Sequence, residues 1–266
     1  MPTPSSPLEP DAAREPVRLE CEGALARVRL NRPHVLNAGD AEWVRALGAV
    51  VRELGRRPEV RVVVITGAGR AFSTGVDLTA LAHGDVTLDE FRAWEDAMTA
   101  LERLPALVLA GINGHCLGGG LQLALVCDYR LAAESALIGL PAVKECLIPS
   151  MALYRLPRLI GMARAQELIL LGDPIRAREA ERYGLVHRVV PDGEFPAALE
   201  ALVERGLALP AASLAASKQL LARAFDRDFV AFRAEMEARF RECLASGDHH
   251  AAMDEIRKRT SRAPGP

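Results

Sequence analysis

Residues 113–120 read Asn113-Gly114-His115-Cys116-Leu117-Gly118-Gly119-Gly120, between the apolar run 107–112 and the apolar segment Leu121-Gln122-Leu123-Ala124-Leu125. A strand that breaks into three glycines and then opens a helix leaves backbone N–H groups bare and lets a ligand atom come close to the main chain. That is anion-binding architecture. A second element of the same kind precedes it: residues 60–66 read as a strand, followed by Gly67-Ala68-Gly69 and then residues 70–78. Two such elements can aim two N–H groups at one developing negative charge, the geometry of an oxyanion hole. They say which charge is stabilised, and not which group reacts.

Other reactive side chains are less well placed. His115 sits just before the glycines, where a histidine is more often a packed loop residue. His249 and His250 are adjacent rather than at metal-ligand spacing, so no metal is expected. Ser150 lacks the G-x-S-x-G setting of a nucleophile elbow, which disfavours a hydrolase. The five cysteines are odd in number, scattered and without a C-x-x-C pair, so neither a disulfide framework nor a zinc site is indicated.

The elements that must position the glycine loops follow from length and pattern. At 266 residues and half apolar, the chain can bury one large core with a helical appendage. A net charge of -2 and a pI near 6.3 give no electrostatic case for nucleic acid. No 18-residue apolar stretch lacking charges suggests a membrane span, so the expected partner is a small molecule and the expected location cytoplasmic. Residues 1–16 are proline-rich without an apolar h-region and read as a disordered tail rather than a signal.

From residue 17 to 31 apolar and polar residues alternate around Glu22-Gly23, the pattern of a hairpin with one wet face. Asp40 is placed to cap a helix whose Val44, Leu47, Val51 and Leu54 recur at helical spacing. The pattern then predicts a strand at 60–66, a helix at 88–104, a strand at 107–112, a helix from Gly120 and a strand at 129–132, an α/β core with parallel pairing. Helices are predicted at 163–171, 175–183, 195–209, 211–224 and 229–245, with only 185–190 strand-like among them. The resulting organisation is a tail (1–16), a core (17–194) and a C-terminal helical region (195–266). Phe229, Phe232, Met236 and Phe240 form an apolar stripe on one helix of that region, large for a chain end to bury alone, which places it at a subunit interface.

These segments together resemble the crotonase family, also called the enoyl-CoA hydratase/isomerase family, from about residue 17 to 259. The matching residues are Asn31-Arg32-Pro33 with Asn37-Ala38, residues 62–67 and 70–78, Asn113-Gly114 with the glycine triplet, Cys127-Asp128, Ile160-Gly161 and residues 180–186. The resemblance implies an α/β fold of repeated ββα units in a spiral, with C-terminal helices mediating a homotrimer that often doubles to a hexamer. It also implies an acyl-CoA thioester ligand, coenzyme A entering as part of the substrate with no permanently bound cofactor, and a carbonyl held by two backbone N–H groups.

Carried over by position, those donors are Val76 and Gly119. Thr74, Gly75, Val76, Asp77 and Leu78 resemble the loop that lies against the CoA adenine, and Gly118 with Gly119 joins the contacting positions. Asp77 also suits an Asx-type hydrogen bond holding its turn. Arg32 and Lys258 resemble positions near the CoA phosphates, or are solvated surface charge. Tyr154 is a candidate to face the acyl pocket, or is structural.

The chain departs from familiar hydratases at two places. They carry one glutamate two residues after the glycine triplet and another after the proline of the following loop; here stand Gln122 and Ala142. Gln122 can orient a water or a substrate oxygen but cannot take a proton at neutral pH, and alanine can do neither. Since each positioned acid or base contributes on the order of 10² to 10⁴ in rate, hydration by the two-glutamate route is not expected. Glu145, three residues after Ala142, shares roughly one face with it on a helical turn and is the leading substitute base; a surface carboxylate or a partner for an arginine is the other reading. Three functions follow: an enolate-stabilising acyl-CoA isomerase, decarboxylase or related lyase; a CoA-thioester-binding subunit without chemistry; or a hydratase that recruits Glu145.

Overall fold

The structure, a computed structural model, describes residues 15–262. The expected tail lies outside the described residues up to Arg14; the carbonyls of Glu15 and Pro16 accept from the Asn31 side chain and backbone N–H.

The chain opens with β1 (Val17–Glu22), β2 (Leu25–Leu30) and α1 (Ala41–Gly55). The predicted hairpin turns at Gly23, whose φ of +56 suits glycine. Asp40 caps α1 by accepting from Trp43 N at 2.9 Å, and Val44, Leu47, Val51 and Leu54 are all buried along it. The next unit is β3 (Val62–Gly67), β4 (Ala71–Ser73), α2 (Leu78–His83) and α3 (Leu88–Glu102). Then come β5 (Leu107–Ile112), β6 (His115–Leu117) and α4 (Gly119–Leu125), followed by β7 (Tyr129–Ala133), β8 (Leu137–Gly139) and α5 (Ala152–Ile160).

The pairs β3–β4, β5–β6 and β7–β8 each give one strand to a six-stranded sheet, ordered β1-β2-β3-β5-β7-β10 with β10 at Arg188–Val190, and one to a four-stranded sheet, ordered β4-β6-β8-β9 with β9 at Ile175–Arg176. Only β1–β2 and β8–β9 pair antiparallel. This is the expected ββα repeat. The Val62-Val63-Val64-Ile65 run is buried on both faces, as a parallel strand covered on each side requires. One face packs on Trp43, Leu47, Trp94 and Leu101 of α1 and α3.

The chain continues through α6 (Met162–Gln166), β9 (Ile175–Arg176), α7 (Ala177–Arg182), β10 (Arg188–Val190), α8 (Phe195–Leu207), α9 (Ala211–Leu221), α10 (Phe229–Leu244) and α11 (Gly247–Arg262). The predicted helix at 175–183 begins instead as β9, because Leu137 and Ile138 of β8 offer an edge to Arg176 and Ile175. Phe195, Leu199 and Val203 of α8 cover the second face of the large sheet against Val62, Val64, Leu109 and Leu131. No residue of α9 or α10 is buried: Phe229 is 77% and Phe240 60% exposed. Lys218 ties α9 back to the core, donating to Asp128 Oδ2 at 2.7 Å and Ala106 O at 2.9 Å. Among the described residues no helix is long and apolar enough to cross a membrane.

Candidate active site

The two glycine loops meet because side-chain amides pin them together. Asn37, fully buried, donates from Nδ2 to Ala68 O and Ala71 O at 2.9 and 2.8 Å and accepts Arg32 N–H at 2.8 Å. Asn113 accepts Gly67 N–H at 3.0 Å and donates to Gly69 O at 2.9 Å, so the chain leaving β5 holds the chain leaving β3. These amides do for irregular backbone what ladder hydrogen bonds do for a sheet.

The loop after β4 spends its amides one by one. Thr74 N donates to Leu36 O at 3.2 Å, Gly75 N to Ser73 Oγ at 3.2 Å and Asp77 N to Gly39 O at 2.9 Å. Gly39 N donates to Gly75 O at 2.7 Å, completing a parallel bridge between Gly39 and Val76. In such a bridge the bonds come from the residues flanking Val76, so its own N–H points away. No acceptor among the described residues takes it. Across from it, Gly118 N donates to Gly139 O at 2.9 Å, while Gly119 opens α4 and its N–H likewise has no acceptor among the described residues. The first N–H groups of a helix have no intrahelical partner.

Each glycine of the triplet has its own steric cause. Gly118 sits at φ +52; a Cβ on Gly119 would lie 2.7 Å from the Trp94 ring; one on Gly120 would lie 2.1 Å from Ser73 O. Only bare backbone packs this way.

Val76 and Gly119 line one cavity of about 420 Å³ together with Thr74, Asp77, Leu78, Gly118, Gln122, Ala142 and Glu145. Its apolar walls come from Phe91, Trp94 and Met98 on α3 and from Leu117, Leu147 and Ile148. Pro141–Glu145 is a 3-10 turn, in which residues three apart eclipse, and both Ala142 and Glu145 face the cavity. Two carboxylates line it. Asp77 is committed: it caps α2, accepting from Thr79 N and Ala80 N at 3.1 and 3.3 Å, and pairs with Arg32 at 3.3 Å. The Glu145 carboxylate is exposed and has no hydrogen bond or ion pair among the described residues, while neighbouring Lys144 pairs with Asp173 at 2.5 Å. Gln122 Oε1 is buried without a partner among the described residues.

The remaining sequence candidates lie elsewhere. The Arg32 guanidinium is half-buried, donates to Ala38 O at 2.6 Å and pairs with Asp40 at 2.8 Å, so it braces the loop behind the cavity instead of lining it. Lys258 stands on α11 beside Glu255 at 2.7 Å, also away from the cavity wall. Tyr154 does not face the pocket: its hydroxyl donates to Asp226 at 2.6 Å and Arg158 lies 3.4 Å over its ring, because α5 turns that residue toward the segment leading into α10. His115 belongs to β6 and is outside the lining. Missed from the sequence were Phe91, Trp94 and Met98. Their helix was legible, but the face it turns to the cavity is set by packing against α1.

The sequence model of the enoyl-CoA hydratase/isomerase family matches residues 20–260, and the chain belongs to that family. The short-chain-enoyl-CoA hydratase of Clostridium acetobutylicum is 34% identical over 244 residues, 89% of this chain and 92% of that one. The YngF protein of Bacillus subtilis is 41% identical over 169 residues, 62% of this chain and 65% of its own length. A crystal structure of enoyl-CoA hydratase from Bacillus anthracis superposes with a TM-score of 0.86 at 29% identity, covering 92% of this chain and 96% of that one. The ββα architecture is therefore the crotonase fold, in a family that acts on CoA thioesters.

Proposed function

We propose that this chain is an acyl-CoA thioester enzyme that polarises the thioester carbonyl between the Val76 and Gly119 N–H groups, stabilises the enolate so formed, and uses Glu145 as its single base. The observation that supports this most is the coincidence, in one cavity, of the Val76 and Gly119 amides and the Glu145 carboxylate, none of which has a partner among the described residues. Proton removal beside a thioester carbonyl puts negative charge on the oxygen, and one hole donor is worth roughly 3 to 4 kcal/mol there. Isomerisation needs one base that takes and returns a proton. Decarboxylation needs still less, since loss of CO₂ itself leaves the enolate. Addition of water calls for a second proton carrier, and Gln122 and Ala142 supply none. The loop from Thr74 to Leu78, with Gly118, is assigned to the CoA moiety. The exposed faces of α9 and α10 are assigned to a homotrimer or hexamer.

The test is incubation with enoyl-, 3-enoyl- and malonyl-type CoA thioesters, read by mass spectrometry, with Val76→Pro beside the wild type. Proline removes an N–H that no acceptor among the described residues uses, so turnover of the reactive thioester is expected to fall about 10² to 10³-fold. Equal turnover in the two proteins would defeat the hole. Thioester binding with no turnover of any member of the panel would make the chain a binding subunit instead.

A further inference from the structure

The two amides come from separate stretches of chain, and one side chain lies against the backbone that carries each. A Cβ at Gly119 would lie 2.7 Å from Trp94 Cζ2 and 2.8 Å from Cη2; a Cβ at Gly39 would lie 3.1 Å from Cη2 and from Cζ3 of the same ring. Gly39 makes the two hydrogen bonds that flank Val76. The benzo edge of Trp94 therefore touches one donor residue directly and the strut of the other.

Away from the cavity, the ring is closely packed. Trp94 is 4% exposed, and its other side meets the fully buried Trp43 with ring centroids 4.8 Å apart. Its Nε1 is buried without an acceptor among the described residues, so packing sets its place. Its helix is fixed at one end by the Thr87–Glu90 capping box and along its length by Arg155, which pairs with Glu95 at 2.7 Å and Glu102 at 3.0 Å. Close-packed interiors transmit such constraints with little give.

We propose that Trp94 is a positioning residue that sets the separation and aim of the Val76 and Gly119 N–H groups, and through them the polarisation of a bound thioester carbonyl. The inference rests on the proposed hole. It predicts an effect on the carbonyl that a purely structural tryptophan would not have, because donors must lie within hydrogen-bond reach of the position the oxyanion occupies.

The experiment binds cinnamoyl-CoA to wild type, Trp94→Phe and Trp94→Leu, and reads the carbonyl stretch by infrared difference spectroscopy beside kcat and KM for the reactive thioester. In the wild type the stretch is expected to shift to lower frequency. In Trp94→Leu most of that shift should vanish and kcat fall about 10²-fold, the scale of a 1 Å misplacement, with KM little changed. Trp94→Phe, which keeps a ring of shorter reach, should recover part of both. Folded variants that keep the full shift and kcat overturn the positioning role and leave the hole standing. If Trp94→Leu does not fold, Trp94→Phe decides by the same readout. No shift in the wild type overturns the hole, and the inference with it.

Discussion

A Cβ on Gly75 would lie 2.6 Å from the backbone nitrogen of Gly119, so the loop after β4 and the first turn of α4 touch through bare main chain. Gly75 also sits at φ +92, outside the range that L side chains adopt comfortably. The nitrogen that this contact crowds is the Gly119 amide, which has no acceptor among the described residues. Space beside it is governed by the absence of a side chain at residue 75.

Gly75→Ala is therefore expected to act twice. Strain at positive φ and overpacking should lower stability by about 1–3 kcal/mol, read as a shift in the urea midpoint. The pushed-apart loops should also cost thioester turnover about 10² to 10³-fold, the loss expected for one hole donor. Gly84→Ala, at φ +82 with open space around it, carries the backbone strain without the contact and should leave turnover unchanged.

The cysteines divide by burial. Cys21 and Cys146 are exposed, Cys243 is intermediate, and Cys116 and Cys127 are buried. Burial pushes the Cys116 thiol far up and the Cys127 thiol up to about 12. Only thiolates react, so a thiol reagent at pH 8 should label Cys21 and Cys146 first and reach Cys116 and Cys127 only on unfolding. The sign of the pH effect follows. Unfolded thiols ionise near about 8.5, whereas the buried ones keep their protons, so above that pH the unfolded state binds fewer protons and stability falls as pH rises toward 12. Cys127→Ala should flatten the decline of the urea midpoint between pH 8 and pH 10 relative to wild type; an identical decline would show that Cys127 does not contribute.

The exposed apolar face of the C-terminal helices gives an oligomerisation test. Leu221, Phe225, Phe229, Val230 and Phe240 are all more than half exposed in the single chain. Large apolar side chains exposed in such number near one chain end are what an interface between copies would cover. Light scattering at micromolar concentration should give a trimer or hexamer, and Phe229→Asp with Phe240→Asp should shift it toward monomer. A monomeric wild type would remove the assembly.

What the sequence made legible was what is local. Asp40 and the hairpin around Gly23 act within a few residues of themselves, and each stands where its pattern placed it; the glycine triplet also opens its helix as read, though what requires Gly119 and Gly120, Trp94 and Ser73, is tertiary. The strands β4, β6 and β8 were not legible because three residues carry no period, yet they build the second sheet. Tyr154 stayed open between the acyl pocket and a structural role because its partner, Asp226, is 72 residues away. The same limit hid Trp94, whose helix was visible but whose contacts with Gly39 and Gly119 are tertiary. Glu145 lay between these cases: its three-residue offset from Ala142 was visible, and the 3-10 turn that lines the two up was not.

The residues around the hole make opposite demands on hydration and on single-base chemistry. Wild type is expected to hydrate crotonyl-CoA poorly, because Gln122 and Ala142 carry no titratable proton while Val76 and Gly119 keep their amides. If the lost carboxylates are the only defect, Gln122→Glu with Ala142→Glu should raise hydration far more than either change alone, since the two groups act on one water. Each positioned acid or base is worth about 10² to 10⁴ in rate. Glu145→Gln should do the reverse for the native reaction. It should abolish turnover of the reactive thioester while leaving stability within about 0.5 kcal/mol, because the side chain is exposed and pairs with nothing among the described residues. Efficient crotonyl-CoA hydration by wild type, unchanged in Glu145→Gln, would defeat both expectations at once. The acid and the base would then have to come from groups placed here in structural roles, Asp77 foremost as the other carboxylate that lines the cavity.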